Sequence, residues 1–534
     1  MEARIIPICK RLFLASVLSL GVIAPAGADP SRIADYLKAR AADADGNSAL
    51  AIAGYARVLD DAPASTAVAV RAYREALAAG DIALATRAAA VVRGTPDAPA
   101  DLPLLPLAIA ASRDDAAAAE AAVAALVPTP LGVMAPSLRA WIAYGRGQDP
   151  APLLAAAGKN PVAQRLAAET AALLRLARGD VAGGLTAVQA LRETGSPIDL
   201  RLSAAQLLFG NGNADAARTL LAGNDPIYAA LRQGPSAKPT LSFGVSRLLG
   251  RVASDLAEQD AAALSIALSR TALIASPAND RARLLLASAL AKDGATALAL
   301  ATLDAMPPAS PFASTAAAAR ITILANAGRD PEALALARAA ATGGEATPAD
   351  WQAYADRLTA ANRPAEAVGW YRRVLDADPQ EWTAWLQYGG ALEQSGDWPR
   401  AREALQKAVA IAPREPLALN YLGYAQAERG IDVKASTAML ERARALKPDD
   451  DSITDSLGWA YFITGDTARA LPLIERAAAG DPTNAEIGEH LGDLYWTIGR
   501  RYEARYAWRA AALTADPADQ ARLATRILQG PPAK

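Results

Sequence analysis

A residue that tolerates a left-handed backbone recurs about every 34 residues along most of the chain. Each one follows an apolar helical stretch and precedes another, where the last turn of a helix closes most easily at positive φ. All steps but one are 32 to 35 residues, and the positions are Gly46, Gly80, Asp114, Gly147, Gly179, Gly212, Asp260, Gly294, Gly328, Asn362, Gly396, Gly430, Gly465 and Gly499. This period predicts helical hairpins, each of which buries its apolar face only against its neighbours.

Prolines separate one predicted hairpin from the next, because proline cannot continue a helix interior. They fall 17 or 18 residues after a turn residue, at Pro63, Pro277, Pro311, Pro379, Pro413, Pro448, Pro482 and Pro517. Five residues before most of them lies a small apolar residue, such as Ala408 or Ala477, where two helices must approach closely. The chain is 52% hydrophobic but only 5% aromatic. Its apolar residues are therefore mostly Ala and Leu, which favour helices.

Two stretches in the C-terminal part share a more specific pattern. The first contains Trp385, Tyr388, Gly389, Leu392, Ala401, Leu405, Ala408 and Pro413. The second contains Leu457, Gly458, Tyr461, Ala470, Ile474, Ala477 and Pro482, with Thr454 in place of the tryptophan. Both resemble the tetratricopeptide repeat. The resemblance implies an all-α solenoid of about fourteen helical hairpins, wound as a right-handed superhelix, with a C-terminal capping helix.

The uneven spread of these marker residues divides the chain into five predicted segments. The segments are a cleavable signal peptide at 1–28, divergent hairpins at 29–221, a Gly/Pro-rich insertion or linker at 222–245, well-marked repeats at 246–518, and a capping helix with a tail at 519–534. The insertion coincides with the one long step, 48 residues from Gly212 to Asp260. A segment of this length is either a functional loop or a plain linker, and we favour the linker.

The first residues have the three-part layout of a secretory signal. Arg4, Lys10 and Arg11 precede an uncharged apolar run of 12 residues, and small residues at 26–28 permit cleavage. The run is shorter than the roughly 20 residues that span a bilayer, so an uncleaved anchor is the less favoured alternative. The only cysteine, Cys9, precedes the run, so a lipid-attachment signature is missing. We expect an exported protein without a transmembrane segment, periplasmic in a Gram-negative bacterium or associated with the outer membrane through its partners.

The inventory of chemically active side chains argues against an enzyme. His490 is the only histidine, which excludes a metal site with two histidine ligands, and we expect it on a helix surface. No Lys is followed by Ser or Thr, and no Ser is followed three residues later by Lys, so the phosphate-binding loop and the serine–lysine acyl-transfer motif are missing. We expect no catalytic residue, metal or cofactor. A net charge of −2 gives no basis for nucleic-acid binding.

The resemblance also implies which side chains face a binding groove, because positions 2, 5, 9, 12 and 13 of each first helix do so in this family. Besides Asp356, these positions hold Glu393, Gln394, Asn420, Tyr424, Glu428, Asp455, Trp459, Phe462, Glu489, Asp493 and Trp496. Aromatic residues with a few charges are typical of the centre of a protein-binding surface, so we expect a partner peptide or helix with basic and apolar residues. Alternatively, the aromatic residues are core and the acids form a solvated face.

Three stretches, residues 419–424, 455–459 and 490–496, are similar to bacterial cell-envelope repeat proteins. Some of those are outer-membrane lipoprotein adaptors that recruit a processing protease and its cell-wall-hydrolase substrates. The resemblance implies a protein-binding scaffold or adaptor. One alternative is a periplasmic repeat scaffold for polysaccharide export or outer-membrane assembly, and a third is an enzyme whose site the sequence does not reveal.

Overall fold

The computed structural model describes residues 30–531, except 194–197, 224, 235, 258 and 260. Within those residues the chain forms thirty α-helices and one 3₁₀ helix, with no strand. The predicted all-α class is confirmed. The described chain divides into two compact units, the first ending at Arg329 and the second beginning at Asp330. The predicted signal peptide at 1–28 lies outside the described residues.

The first unit opens with six helical hairpins, in each of which a first helix packs against the helix that follows it. The pairs are α1 (Pro30–Ala44) with α2 (Ser48–Asp61), α3 (Thr66–Ala79) with α4 (Ile82–Val92), α5 (Leu104–Ser112) with α6 (Ala116–Leu126), α7 (Ala135–Gly145) with α8 (Ala151–Ala155), α9 (Pro161–Ala177) with α10 (Val181–Glu193), and α11 (Ile198–Gly210) with α12 (Ala214–Leu220). The 3₁₀ helix, Pro130–Met134, precedes α7.

The turn residues predicted from the repeat adopt the expected backbone conformation. Asp260 lies outside the described residues, and each of the other thirteen has a positive φ, from 55° at Asp114 to 88° at Gly80. Polar residues next to some turns then cap the following helix. Asp81 and Asp115 accept hydrogen bonds from backbone N–H groups in the first turns of α4 and α6. Local sequence therefore sets where each hairpin turns and where its second helix begins.

After the sixth hairpin the chain packs back onto the hairpins before it. The remaining helices of the unit are α13 (Pro226–Leu231), α14 (Leu241–Asp255), α15 (Ala262–Ala275), α16 (Asp280–Lys292), α17 (Thr296–Asp304) and α18 (Ala313–Asn326). Helix α14 packs against α5 and α7, and α15 packs against α3 and α5. Helices α3, α5 and α7 are all first helices of hairpins. We call the face that the first helices share the inner face of the first unit, and α14 and α15 cover it.

Two contacts show how closely α14 and α15 fit this face. Gly244 of α14 lies against the Trp141 ring in α7, where a Cβ atom would come within 2.1 Å of the ring. Arg270 of α15 donates hydrogen bonds to the carbonyl oxygens of Leu77 and Ala78 at the end of α3. Carbonyls at a helix end have no partner within their own helix. The Arg270 side chain is thereby bonded to the backbone of Leu77, 193 residues earlier in the sequence.

The second unit begins with α19 (Asp330–Thr342) and continues as five hairpins and a final helix. The hairpins are α20 (Pro348–Ala360) with α21 (Pro364–Ala377), α22 (Trp382–Gln394) with α23 (Trp398–Ile411), α24 (Pro416–Glu428) with α25 (Val433–Leu446), α26 (Asp451–Ile463) with α27 (Thr467–Gly480), and α28 (Ala485–Thr497) with α29 (Arg501–Ala512). Helix α30 (Pro517–Gln529) packs on α29. None of the described helices is long and apolar enough to cross a membrane.

The residues of the repeat pattern hold these hairpins together. Leu405 is fully buried, and a Cβ atom on Gly389 would lie 2.8 Å from its side chain. In a later repeat, a Cβ atom on Gly458 would lie 2.6 Å from Ile474. The patterned glycine therefore stands where the first and second helices of a hairpin touch.

Residues 222–245, predicted as an insertion or linker, lie within the first unit. They contain α13 and the beginning of α14. Next to this segment, the Arg201 guanidinium lies 4.0 Å from the centre of the Tyr228 ring. The limits of the five predicted segments stay a prediction, because the two compact units do not show where the repeats are regular.

Candidate protein-interaction surface

Four first helices of the second unit, α22, α24, α26 and α28, carry the eleven residues predicted to face a groove. Helix α24 packs against α26, and α26 packs against α28. We call the face that these first helices share the inner face of the second unit. The eleven residues fall into three groups there, which are an acidic edge, a buried polar and aromatic cluster, and a contact with the last helix.

The acidic edge lies at the C-terminal ends of α22 and α24. Gln394 and Glu428 are exposed and Glu393 is half-buried. Glu393 forms an ion pair with Arg429 at 2.8 Å. Among the described residues, no lysine, arginine or histidine nitrogen lies within 4.0 Å of the Glu428 carboxylate. Burial and the neighbouring Glu486 raise the pKa of Glu428, because both disfavour its negative form.

The centre of the cluster is a buried pair between neighbouring repeats. His490 Nδ1 lies 2.7 Å from Asp455 Oδ2, and the two residues are 6% and 4% exposed. Burial alone lowers the pKa of His490, but Asp455, assisted by Glu486 and Glu489, raises it above its usual value overall. The carboxylate of Asp455 thereby favours the charged form of the histidine. The other oxygen of Asp455, Oδ1, is buried and has no hydrogen-bond partner among the described residues.

Aromatic side chains cover this pair. The Trp459 ring stacks on the His490 ring, with 3.8 Å between centroids and 13° between planes. Phe462 lies against Trp459 at 4.9 Å, and both side chains are half-buried. The indole Nε1 of Trp459 is buried without a hydrogen-bond partner in the described part of the chain. Asn420, one repeat before Asp455, likewise has a buried Oδ1 without such a partner.

Tyr424 connects the cluster to the acidic side of α28. Its hydroxyl donates a hydrogen bond of 2.7 Å to Glu486 Oε1, across the helix that lies between α24 and α28. Its ring centre lies 6.2 Å from that of His490. Burial, together with the charges of Glu486, Glu428 and Asp455, raises the pKa of Tyr424, so the hydroxyl stays protonated and remains a donor.

The third group is in contact with the chain's own last helix. Arg526 of α30 lies 2.9 Å from Glu489 and also pairs with Asp493. Arg522 of the same helix pairs with Glu489. Trp496 lies beside them on α28 and is half-buried. The negative charges of Glu489 and Asp493 are therefore already paired within the chain, unlike that of Glu428.

The structure corrects the expectation that His490 is a surface histidine. It is buried because it pairs with Asp455 and stacks under Trp459. Asp455 and His490 stand 35 residues apart, close to one repeat, and the repeat spacing could have revealed that they meet. Glu486 was also missed, although it stands three residues before Glu489 on α28, at position 2 of that first helix. The groove role of the eleven predicted residues stays a prediction.

No group of three His, Cys, Asp or Glu side chains in the described part of the chain is placed to hold a metal ion. The cluster instead offers a hydrogen-bond acceptor at Asp455, a donor at Trp459, aromatic surface and unpaired carboxylates. These features suit the binding of a cationic and apolar segment.

Comparison with known proteins gives the same type of repeat. A sequence model of the tetratricopeptide repeat matches residues 249–314, 353–416, 391–451 and 456–520. A tetratricopeptide-repeat-containing protein of Pseudomonas aeruginosa is 32% identical over 101 residues, which are 19% of this chain and 17% of that protein. Cellulose synthase 2 operon protein C of Komagataeibacter xylinus is 32% identical over 137 residues, 26% of this chain and 10% of that protein.

Solved structures resemble the chain at low sequence identity. A tetratricopeptide-repeat protein of Parabacteroides merdae is 19% identical, covers 46% of this chain and 96% of its own, and has a TM-score of 0.40. The Cut9–Hcn1 hetero-tetramer of the APC/C is 16% identical, with 94% and 97% coverage and a TM-score of 0.40. The matched stretches span less than a fifth of either sequence relative described above.

Proposed function

Since this chain carries tetratricopeptide repeats, we propose that it is a non-enzymatic scaffold or adaptor that binds partner proteins on the inner face of its second unit. The observation that carries the proposal is the cluster around His490. There, Trp459 stacks on His490, and Tyr424 lies beside the carboxylates of Glu428 and Glu486, which have no cationic partner within 4.0 Å among the described residues. Tyr and Trp dominate many protein-binding hot spots, and unpaired charges favour a partner of opposite charge.

The partner that fits this face is a peptide or helix with basic and apolar residues. Basic side chains would neutralise Glu428 and Glu486, and apolar ones would cover the half-buried rings of Trp459 and Phe462. A peptide that ends in a free carboxylate is disfavoured, because it would bring another negative charge to the acidic edge.

We place this scaffold in the bacterial cell envelope, with a processing protease or cell-wall hydrolases as its partners. The predicted signal peptide and the resemblance to bacterial envelope adaptors support this placement, and the two sequence relatives described above are bacterial. Fractionation of cells that produce the chain, followed by immunodetection, tests the location. Recovery in the cytosol alone would contradict it.

A second candidate is a scaffold for polysaccharide export or outer-membrane assembly. It is favoured by the similarity over 137 residues to a protein named for a cellulose synthase operon. The two candidates differ in the partners they require, which are a protease or cell-wall hydrolase in the first case and a synthase or export channel in the second.

Affinity capture from an envelope extract tests the binding proposal. The bait is the tagged chain, and the variant carries Gln394→Arg and Glu428→Arg, two exposed positions at the acidic edge. The matched control carries Gln406→Arg and Glu403→Arg, which are exposed on α23. We expect the edge variant to lose partners that the control retains. Equal capture by all three proteins, with unchanged circular dichroism, would show that this face is not the binding surface.

The non-enzymatic part of the proposal has its own test. Purified chain is assayed for peptidase, peptidoglycan hydrolase and glycosyltransferase turnover. Sustained turnover that co-purifies with the chain and disappears in His490→Gln would replace the scaffold with an enzyme.

A further inference from the structure

The first unit shows what kind of segment occupies an inner face in this protein. Its helices α14 and α15 lie on the first helices α3, α5 and α7. Helix α14 also reaches α9 through its charged side chains. The inner face of the first unit is thus occupied by a hairpin of the same chain, α14 with α15.

Arginine makes the main polar contacts of α14. Arg251 donates two hydrogen bonds to the Glu169 carboxylate of α9, from Nε at 3.0 Å and from Nη2 at 3.3 Å. Both side chains are at most 6% exposed. One turn earlier on the same helix, the half-buried Arg247 donates to Oδ1 of Asn279, the N-cap residue of α16, at 2.7 Å. The apolar side of the helix buries Leu248 and Leu249. The occupant of the first inner face is therefore an amphipathic helix with arginines four residues apart.

The second unit presents matching but unpaired groups on its own inner face. Glu428 and Glu486 are exposed carboxylates without an ion pair among the described residues. On the same face, the buried Oδ1 of Asp455 has no hydrogen-bond partner in the described part of the chain. The charge of Asp455 also helps to raise the pKa of Tyr424. A buried acceptor without a donor destabilises the protein.

We infer that the partner segment on the inner face of the second unit is an amphipathic helix that carries arginine, of the kind that α14 provides for the first unit. This inference rests on the proposed function and names the chemistry of the partner. Arginine fits better than lysine because its planar guanidinium offers five donors and can reach two carboxylates at once. The guanidinium also stacks favourably on the faces of Tyr424 and Trp459.

A selection experiment tests this inference without knowledge of the natural partner. The probe is a phage-displayed library of amphipathic helical peptides, about four turns long, with the polar positions randomised, selected against the full chain. We expect arginine to be enriched, with pairs of arginines four positions apart. Replacement of the arginines of a recovered peptide by methionine should weaken its binding at least about tenfold.

Variants of the chain locate the binding site of the recovered peptides. Glu428→Gln with Glu486→Gln keeps the shape of both side chains, and the amide oxygen introduced at position 486 can still accept the Tyr424 hydrogen bond. This variant should also lose at least about tenfold in affinity, whereas the control Glu403→Gln on α23 should bind as the parent does. Recovery of binders without arginine, of arginine peptides indifferent to the double variant, or of no binders overturns the inference.

These results are separable from failure of the proposed function. If the extract partners are lost in the edge variant while the library yields arginine-free binders, the scaffold proposal stands and the helix inference falls. If capture is unaffected by the edge variant, the proposed surface falls together with the inference.

Discussion

The buried ion pair between α9 and α14 gives the most quantitative prediction for the first unit. In Arg251→Met, Glu169 loses the two hydrogen bonds at 3.0 and 3.3 Å and keeps a carboxylate that is only 6% exposed. Asp255, the other partner of Arg251, still has Arg165. Removal of one member of a buried pair costs about 3–5 kcal/mol, because the Glu169 carboxylate stays buried while its charge loses the compensation that Arg251 gives. We expect this cost to appear as local opening of α14.

Hydrogen exchange followed by mass spectrometry measures that opening directly. A loss of about 3–5 kcal/mol corresponds to exchange that is roughly 100-fold to several-thousand-fold faster for amides of α14, at about 1.4 kcal/mol for each factor of ten. The matched control is Arg165→Met, whose side chain is 42% exposed. A surface pair contributes only about 0–1 kcal/mol, so exchange in this control should change by less than about tenfold.

A double variant separates the charge effect from a packing effect. Glu169→Met with Arg251→Met removes both charges and leaves two apolar side chains of similar length, which is often neutral or stabilising. We therefore expect the double variant to recover most of the protection that Arg251→Met loses. If Arg251→Met behaves like Arg165→Met, or if the double variant is no better than the single one, the desolvation argument is wrong.

Three further predictions concern pH and packing. Burial and Asp43 raise the pKa of Glu75 to about 7, so the first unit should lose stability as pH rises from about 4.5 through about 7, and Glu75→Gln should flatten this dependence in urea unfolding curves. The pKa of His490 is raised in the folded protein, so the stability that its charged form contributes should be complete below about pH 6.5 and lost as pH rises through the raised pKa. In proton NMR, the resonances of this single histidine should titrate with a midpoint above about pH 6.5, and a midpoint below about pH 6 would contradict the pairing with Asp455. Gly244→Ala places a Cβ atom 2.1 Å from the Trp141 ring, so its thermal unfolding should show a loss of about 1–3 kcal/mol, whereas Gly369→Ala, with open space around it, should show none.

The sequence predicts the local structure of this protein well. Every predicted turn residue that the structure describes has positive φ, including the non-glycine residues Asp114 and Asn362, because the helix end itself demands that conformation. The prolines at 413, 448 and 482 stand just beyond α23, α25 and α27. The turn residues and the prolines both depend only on residues within one hairpin. A repeat pattern therefore includes everything that is needed to predict them.

Contacts between distant segments could not be predicted in the same way. The docking of α14 and α15 depends on pairs such as Arg251 with Glu169, 82 residues apart, and no local period records them. His490 was expected on a surface because its immediate neighbours do not distinguish a buried from an exposed helix position. Its burial depends on Asp455 in the preceding repeat. The acidic residues of α28 were predicted to face a groove, and their ion pairs were missed for the same reason, since the arginines that pair with them lie on the last helix.

The contact of Arg270 with the end of α3 has a consequence for biosynthesis. A chain emerges from the ribosome at about 5–20 residues per second, so the 193 residues between the two partners take roughly 10 to 40 seconds to synthesise. During that time the apolar first helices of the first unit are made but not yet covered by α14 and α15. Neighbouring hairpins of the second unit, by contrast, can pack as soon as each is complete. The first unit is therefore the part of the nascent chain that most needs protection from aggregation.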